Sequence, residues 1–205
     1  MTRSQRLSDL VARFPNARAA IEYAERQHAG QRRSFDGRPF MEHPLEVCLL
    51  LRDAGAPDHV IAAGILHDTV EKAGTDLAEL RTRFGPRVAE LVLVLTEDPE
   101  ISGYTQRKAA LRQQVAAAGP EALTIFAADK VSKVQELRLE LARLLRRHQQ
   151  PSRSLLRPRR AAHYRRSLGM LEEQLGASAL IDQLRTELGR LEAVLVSAGA
   201  RTAVA

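Results

Sequence analysis

The segment AAGILHDTVE places a histidine and an aspartate, His67 and Asp68, side by side in an apolar stretch. His43, near the start of EHPLEVCLLL, and Asp129, within LTIFAADK, also lie among mostly apolar residues. Two imidazoles and two carboxylates form a ligand set without a thiolate, which suits Mn²⁺, Fe²⁺ or Zn²⁺ better than Ca²⁺ or an iron-sulfur cluster. The sequence therefore predicts a metal site formed by these four residues.

Glu71 adds a carboxylate that could perform chemistry at this site. It follows His67 by four residues and Asp68 by three, so on a helix it shares a face with both. A carboxylate beside a metal can orient water and accept its proton, while the metal lowers the pKa of that water. Asp129 must come from another helix, and an acid among apolar neighbours needs a cation. The combination predicts a metal-dependent hydrolase.

Each of these residues also has a structural explanation. A His-Asp pair in a helix can be a cap, an ion pair or a core histidine, and His43, before Pro44, could simply begin a helix. Asp129 and Lys130 could form a surface ion pair. The metal hypothesis depends on the combination, because the helices that carry these residues can pack together. For the remaining histidines we favour a structural role: His28, His59, His148 and His163.

Helices are expected to position these residues, because apolar residues recur at helical spacing through most of the chain. Asn16, Asp58 and Thr75 are predicted N-caps, and Pro44 is predicted to be the first residue of a helix. The run 91–95 could by itself be a strand, but its helical neighbours favour a helix. We expect an all-α fold of about eight to ten helices around a single metal site.

Composition limits the class of protein. The chain has 205 residues, of which 44% are hydrophobic and 27% charged, enough for one globular domain over 1–205. Cys48 is the single cysteine, which excludes an internal disulfide and predicts a buried thiol. No stretch has the roughly 18 apolar residues of a membrane span, and the N-terminus lacks a signal core. We expect a soluble, cytoplasmic protein without membrane contact.

The net charge of +6 comes from one segment. Residues 138–166 carry ten arginines and one acid, Glu140, or +9, so the rest of the chain sums to +6 − 9 = −3. This segment offers only Tyr164 for base stacking and contains no nucleic-acid-binding motif. We favour a solvated basic face, or one that attracts a polyanionic small molecule, over nucleic acid binding. A homo-oligomer through this region and the apolar last helix stays open.

Several ordered motifs carry a resemblance to a known family. The segments YAERQHAGQRRSFDGRPFMEHPLEV, IAAGILHDTVEKAGT, LRTRFGPRVAELVLVLTED, QRKAAL and IFAADKVSKVQELR together resemble the HD-domain alarmone hydrolases, the hydrolase half of RelA/SpoT-type enzymes. The length resembles the stand-alone small alarmone hydrolases of the metazoan SpoT-homologue type. The match is strong over about 17–138 and looser over about 160–198, which it assigns to the same domain.

The resemblance implies both a reaction and residue roles. Similar enzymes remove the 3′-pyrophosphate from ppGpp or pppGpp and leave GDP or GTP. One Mn²⁺ would be bound by the matching residues His43, His67, Asp68 and Asp129. Glu71 would position the attacking water, Arg33 would lie by the base, and Arg32 and Lys130 would contact phosphate or nucleotide.

Three positions depart from the family pattern. Lys72 replaces the acid that usually follows the glutamate, which puts a cation beside the proposed catalytic carboxylate. Lys133 replaces an asparagine that commonly holds the nucleotide and offers another charge for phosphates, and Ser34 replaces a basic residue. Arg107 and Lys108 match a basic pair of the family, although a solvated helix face explains them equally well.

Three functions follow from the sequence. The first is a Mn²⁺-dependent hydrolase of guanosine 3′,5′-bis-pyrophosphates. The second keeps the reaction class and changes the substrate to adenosine alarmones, another 3′-phosphorylated nucleotide or NADPH. The third is a catalytically weak nucleotide-binding or interaction protein whose basic segment 138–166 contacts a partner.

Overall fold

The chain folds into α-helices, which confirms the all-α prediction. A computed structural model describes residues 2–34, 36–152 and 155–202, with side chains as far as residue 198. Within these ranges there are eleven helices: α1 Arg3–Arg13, α2 Pro15–Gln27, α3 Glu42–Asp53, α4 Asp58–Leu66, α5 Thr69–Ala73, α6 Leu77–Phe84, α7 Pro86–Leu95, α8 Tyr104–Ala117, α9 Pro120–Arg146, α10 Pro158–Leu175 and α11 Ala179–Thr202. The same ranges contain no strand, only an isolated bridge between Arg32 and Pro39.

Two local features raise the helix count above the expected eight to ten. Helix α1 was not predicted; it begins with a capping box in which Thr2 and Gln5 satisfy each other's backbone N–H groups. The segment 58–73, expected as one helix, divides into α4 and α5. Thr69 contributes to this break, because its hydroxyl donates to the Leu66 carbonyl at 2.7 Å.

Asp58 caps a helix other than its own. Its carboxylate accepts the backbone N–H groups of Asn16 at 3.0 Å and Ala17 at 2.9 Å, in the first turn of α2. The predictions that Asn16 caps α2 and that Asp58 caps α4 are therefore wrong, since the N-cap positions hold Phe14 and Pro57. The acid that satisfies α2 comes from a distant part of the chain, which local sequence patterns do not reveal.

Two further helix starts differ from the predictions by one or two residues. The N-cap of α6 is Asp76, whose side chain accepts the Ala78 N–H at 3.0 Å, so Thr75 is not the cap. Helix α3 begins at Glu42, which makes Pro44 its third residue. Proline is tolerated there because the first-turn N–H groups have no partner within the helix.

Contacts divide the chain into two compact units, an N-terminal unit Met1–Asp129 and a C-terminal unit Lys130–Ala205. In the N-terminal unit, α4 packs against α2, α3 and α7, and all its residues from Val60 to Leu66 are buried. Gly64 allows the approach of α3, because a Cβ there would lie 2.2 Å from a methyl carbon of Leu51. In the C-terminal unit, α10 packs against α11.

Two further predictions concern the burial of Cys48 and the absence of a membrane span. Cys48 is buried, as predicted, and burial raises the pKa of its thiol to about 12. In the described ranges, every helix is too short or too polar to cross a lipid bilayer.

Candidate metal centre

The four predicted ligands are placed by three parts of the N-terminal unit. His43 is the second residue of α3, and Asp129 lies on α9. His67 ends α4 and Asp68 precedes α5, so both occupy the break between these helices. Each of the four residues is only 2–4% exposed. Such burial of ionisable groups is costly unless they pair or bind a cation.

Three of these residues form a compact group of ligand atoms. His43 Nε2 lies 3.3 Å from His67 Nε2 and 3.1 Å from Asp129 Oδ1, and His67 Nε2 lies 3.5 Å from the same oxygen. Ligand atoms about 2.1 Å from a common cation are about 3.0–3.4 Å apart at angles of about 90–109°. The observed spacing fits a shared divalent cation.

Asp68 completes the predicted set. Its Oδ2 lies 3.3 Å from His67 Nε2 and 3.7 Å from His43 Nε2. The structure therefore brings all four predicted residues together. The set has two imidazole nitrogens and two carboxylates, a donor chemistry typical of transition-metal sites.

The orientation of His67 leaves one ring nitrogen for the site. Its Nδ1 lies 2.7 Å from the Gly64 carbonyl, which can only accept, so Nδ1 carries a proton and Nε2 faces the carboxylates. Burial lowers the pKa of this imidazole, but the charges of Asp68 and Asp129 raise it, to about 9. The pocket thus favours a positive charge, which a metal ion would provide.

Gly64 was not singled out from the sequence. It supports the candidate centre twice, through its carbonyl and through the close packing of α3 that its missing side chain permits. The sequence feature that indicates this role is a glycine three residues before a candidate ligand, in an otherwise apolar helix.

Glu71 and Lys72 lie on α5, the short helix that follows Asp68. The Lys72 ammonium forms an ion pair with the Glu71 carboxylate, and both side chains are partly exposed. The predicted catalytic carboxylate therefore has a cation bound to it. This contact occupies the carboxylate that would otherwise be free to orient water.

Residues 20–138 match the protein family described as HD domain. The chain belongs to the HD-domain family. This confirms the resemblance seen in the sequence at the level of the family.

Curated relatives of this HD domain include bacterial and animal proteins. A guanosine-3′,5′-bis(diphosphate) 3′-pyrophosphohydrolase of Aquifex aeolicus is 31% identical over 137 residues, which are 64% of this chain and 20% of the relative. The human guanosine-3′,5′-bis(diphosphate) 3′-pyrophosphohydrolase MESH1 is 36% identical over 121 residues, 58% of this chain and 67% of that protein. The chain thus spans about a fifth of the Aquifex protein and two thirds of the human one.

Solved structures agree on the fold of this HD domain. The structure of a metazoan orthologue of SpoT that hydrolyses ppGpp superposes with a TM-score of 0.71 at 22% identity, covering 87% of this chain and 96% of that one. A protein of Listeria monocytogenes gives a TM-score of 0.62 at 25% identity, covering 76% and 98%.

The two arginines predicted to contact substrate have different surroundings in the HD domain. Arg32 is exposed, and its guanidinium donates to the Gly37 carbonyl at 2.8 Å. Arg33 is buried, forms an ion pair with Asp36, and lies 3.6 Å from the Glu42 carboxylate. Contact of Arg33 with a nucleotide would require these acidic neighbours to rearrange.

The two predicted lysines lie on α9, and the basic pair lies on α8. Lys130, which is buried, and Lys133, one turn further along α9, belong to the C-terminal unit. Arg107 and Lys108 both bind the mostly buried Glu97 carboxylate, Arg107 at 3.1 Å. The basic pair is therefore neither a solvated face nor an available pair of cations, because Glu97 holds both.

Part of the Arg-rich segment 138–166 is neutralised by acids within the C-terminal unit. Arg138 pairs with Glu187 at 2.6 Å, and Arg165 pairs with Glu192 at 2.6 Å. Arg153 lies outside the described residues. The charge of +9 counted from the sequence thus overstates the charge that this segment presents to solvent.

Proposed function

We propose that this HD domain is a metal-dependent phosphohydrolase that removes the 3′-pyrophosphate of ppGpp and pppGpp, leaving GDP or GTP. The observation that carries the proposal is the buried group of His43, His67, Asp68 and Asp129, with Glu71 three residues beyond Asp68 on α5. The activity named for the Aquifex and human relatives supports the same reaction.

Metal dependence follows from the donor set, and we propose Mn²⁺ as the ion. His43, His67, Asp68 and Asp129 would hold it, since imidazole and carboxylate ligands without a thiolate suit this metal. A bound divalent ion supplies Lewis-acid polarisation of phosphoryl oxygen and makes nearby water more acidic.

In the proposed reaction, Glu71 orients a water molecule and accepts one of its protons. The water oxygen forms a bond to the phosphorus attached to the ribose 3′-oxygen, and the bond between that phosphorus and the 3′-oxygen breaks. The 3′-oxygen takes up a proton from solvent as it leaves and becomes the hydroxyl of GDP or GTP, and the other product is pyrophosphate. Glu71 returns its proton to solvent.

We propose the predicted cations as substrate contacts. Arg32, whose guanidinium is exposed, suits a phosphate. Lys130 and Lys133 follow Asp129 along α9 and would add positive charge for the pyrophosphate. Arg33 remains a candidate for contact with the nucleotide base, provided that its ion pair with Asp36 is broken.

The contact between Lys72 and Glu71 favours a second candidate. A carboxylate that is held by an ammonium is less available to orient the attacking water. The protein would then be a slow hydrolase, or one that prefers an adenosine alarmone, another 3′-phosphorylated nucleotide or NADPH. At the extreme, the protein would bind a nucleotide and hydrolyse it hardly at all.

One assay separates these candidates. The Mn²⁺-loaded protein is incubated with ppGpp, pppGpp, adenosine alarmones and NADPH, and pyrophosphate and inorganic phosphate are measured separately. The leading proposal predicts pyrophosphate from guanosine alarmones and its loss in His67→Ala. Inorganic phosphate from NADPH would support the second candidate, and absence of stoichiometric metal binding would contradict every catalytic proposal.

A further inference from the structure

Backbone hydrogen bonds link His43 to the loop that precedes α3. The N–H of His43 donates to the Phe40 carbonyl at 3.0 Å, and the N–H of Phe40 donates to the Gln31 carbonyl at 3.0 Å. The position of this candidate ligand is thus connected to Gln31 through the backbone of Phe40.

The side chain of Gln31 continues the connection to the other side of the centre. Its Nε2 donates to the Lys72 backbone carbonyl at 3.1 Å, and the Lys72 N–H donates to the Asp68 carbonyl at 2.8 Å. Four consecutive hydrogen bonds therefore join His43 to Asp68 through Gln31. Only one of them involves a side chain, so the path can be broken by one substitution.

His28 fixes the orientation of the Gln31 amide. Because the Lys72 carbonyl can only accept, Gln31 must present Nε2 to it, which leaves Oε1 facing His28 Nδ1 at 2.9 Å. The buried His28 ring packs at a tilt against Phe40, with 4.6 Å between the ring centroids, and burial lowers the pKa of the imidazole. His28 therefore donates from Nδ1 to Gln31.

Helix α5 needs such a tether. It has five residues, and a helix of one turn has little stability of its own. Thr69 anchors its start by burial, but Glu71 and Lys72 are exposed, so burial contributes little to holding the part of the turn that carries Glu71.

Building on the proposed hydrolase function, we propose that Gln31, oriented by His28, is a positioning residue that holds the turn carrying Asp68 and Glu71 against the loop carrying His43. The role is indirect, because Gln31 reaches the centre only through the Lys72 and Phe40 backbones.

The test uses Gln31→Met, which keeps the length of the side chain and removes both hydrogen bonds. Gln113→Met, the same change at an exposed position of α8, is the control. Hydrogen exchange of amides 69–74, thermal stability, Mn²⁺ affinity, kcat and KM are measured for both variants and the wild-type protein.

We expect Gln31→Met to raise amide exchange in 69–74 by about tenfold and to lower kcat by about tenfold, the effect of losing one hydrogen bond. KM and the thermal midpoint should match those of the control. Exchange and kcat equal to wild type would overturn the proposal. If the wild-type protein cleaves no nucleotide, the proposed function fails, and the exchange data alone uphold or overturn the positioning role.

A second pair of variants tests His28. His28→Asn keeps an N–H donor near the position of Nδ1, whereas His28→Leu removes it. We expect His28→Leu to reproduce the faster exchange of 69–74 and His28→Asn to restore most of the protection. Equal exchange in the two variants would overturn the orienting role of His28.

Discussion

The carbonyl oxygen of Gly64 lies 2.7 Å from Nδ1 of His67, one turn further along the same helix. The position that allows α3 to approach α4 is therefore also the position that sets the tautomer of a candidate metal ligand. Packing and ligand orientation depend here on one residue without a side chain.

Gly64→Ala should weaken both packing and metal binding. The added Cβ would meet Leu51, which is fully buried and has little room to move. We expect a loss of about 1–3 kcal/mol in the free energy of unfolding, measured in urea, and weaker Mn²⁺ binding by calorimetry. Gly189→Ala, on α11 with open space at its Cβ, is the control and should be neutral or stabilising.

Mn²⁺ should stabilise the wild-type protein against unfolding. A ligand that binds only the folded state at about 100 times its Kd adds about 2.7 kcal/mol, so the thermal midpoint should rise with metal and fall on chelation. His43→Ala should lose this response. His59→Ala, which removes a half-exposed histidine paired with Glu121, should retain it. An equal metal response in both variants would contradict the assigned ligands.

Lys72→Asp should increase cleavage of ppGpp. The substitution removes the ammonium from Glu71 and adds a second acid, and we expect kcat to rise by about tenfold or more. Lys72→Arg keeps the positive charge and should give no gain. An unchanged rate in Lys72→Asp would show that the ion pair does not limit the reaction.

Glu97 should make the free energy of unfolding depend on pH. Burial raises the pKa of this carboxyl, but Lys108 and Arg107 outweigh it and hold the pKa below its usual value. The stabilisation is therefore present above the unfolded-state pKa of about 4.5 and is lost as pH falls through the lower folded-state pKa. Glu97→Gln should cost about 1–2 kcal/mol at pH 7, and this difference should shrink in acid. Glu100→Gln, at an exposed position, should have little effect at either pH.

The sequence was sufficient for features that depend on local spacing. Helical periodicity predicted most of the elements. The spacing from His67 to Glu71 predicted a carboxylate on the same helix face, but the helix breaks between them, and the nearness of Glu71 to the ligands stays a prediction. The four ligands were proposed from residue type and apolar surroundings, and the structure brings them together.

Features that depend on loop conformation or on distant pairing were not predicted. The pairing of Arg33 with Asp36 arises within a loop, and the tether from Gln31 to Lys72 joins that loop to a distant helix; neither produces a periodic pattern in the sequence. The cytoplasmic location, the single domain over 1–205, and a homo-oligomer stay predictions. Contacts place a boundary between two compact units inside α9, between Asp129 and Lys130.

The cap that Asp58 provides to α2 has a consequence for synthesis of the chain. Asp58 lies 41 residues beyond Ala17, so the N–H groups in the first turn of α2 lack this acceptor until residue 58 has been synthesised. The start of α2 can therefore be capped only after the first residue of α4, the helix that leads to His67, has been synthesised. A nascent chain that ends before Asp58 contains the sequence of α2 without the group that completes it.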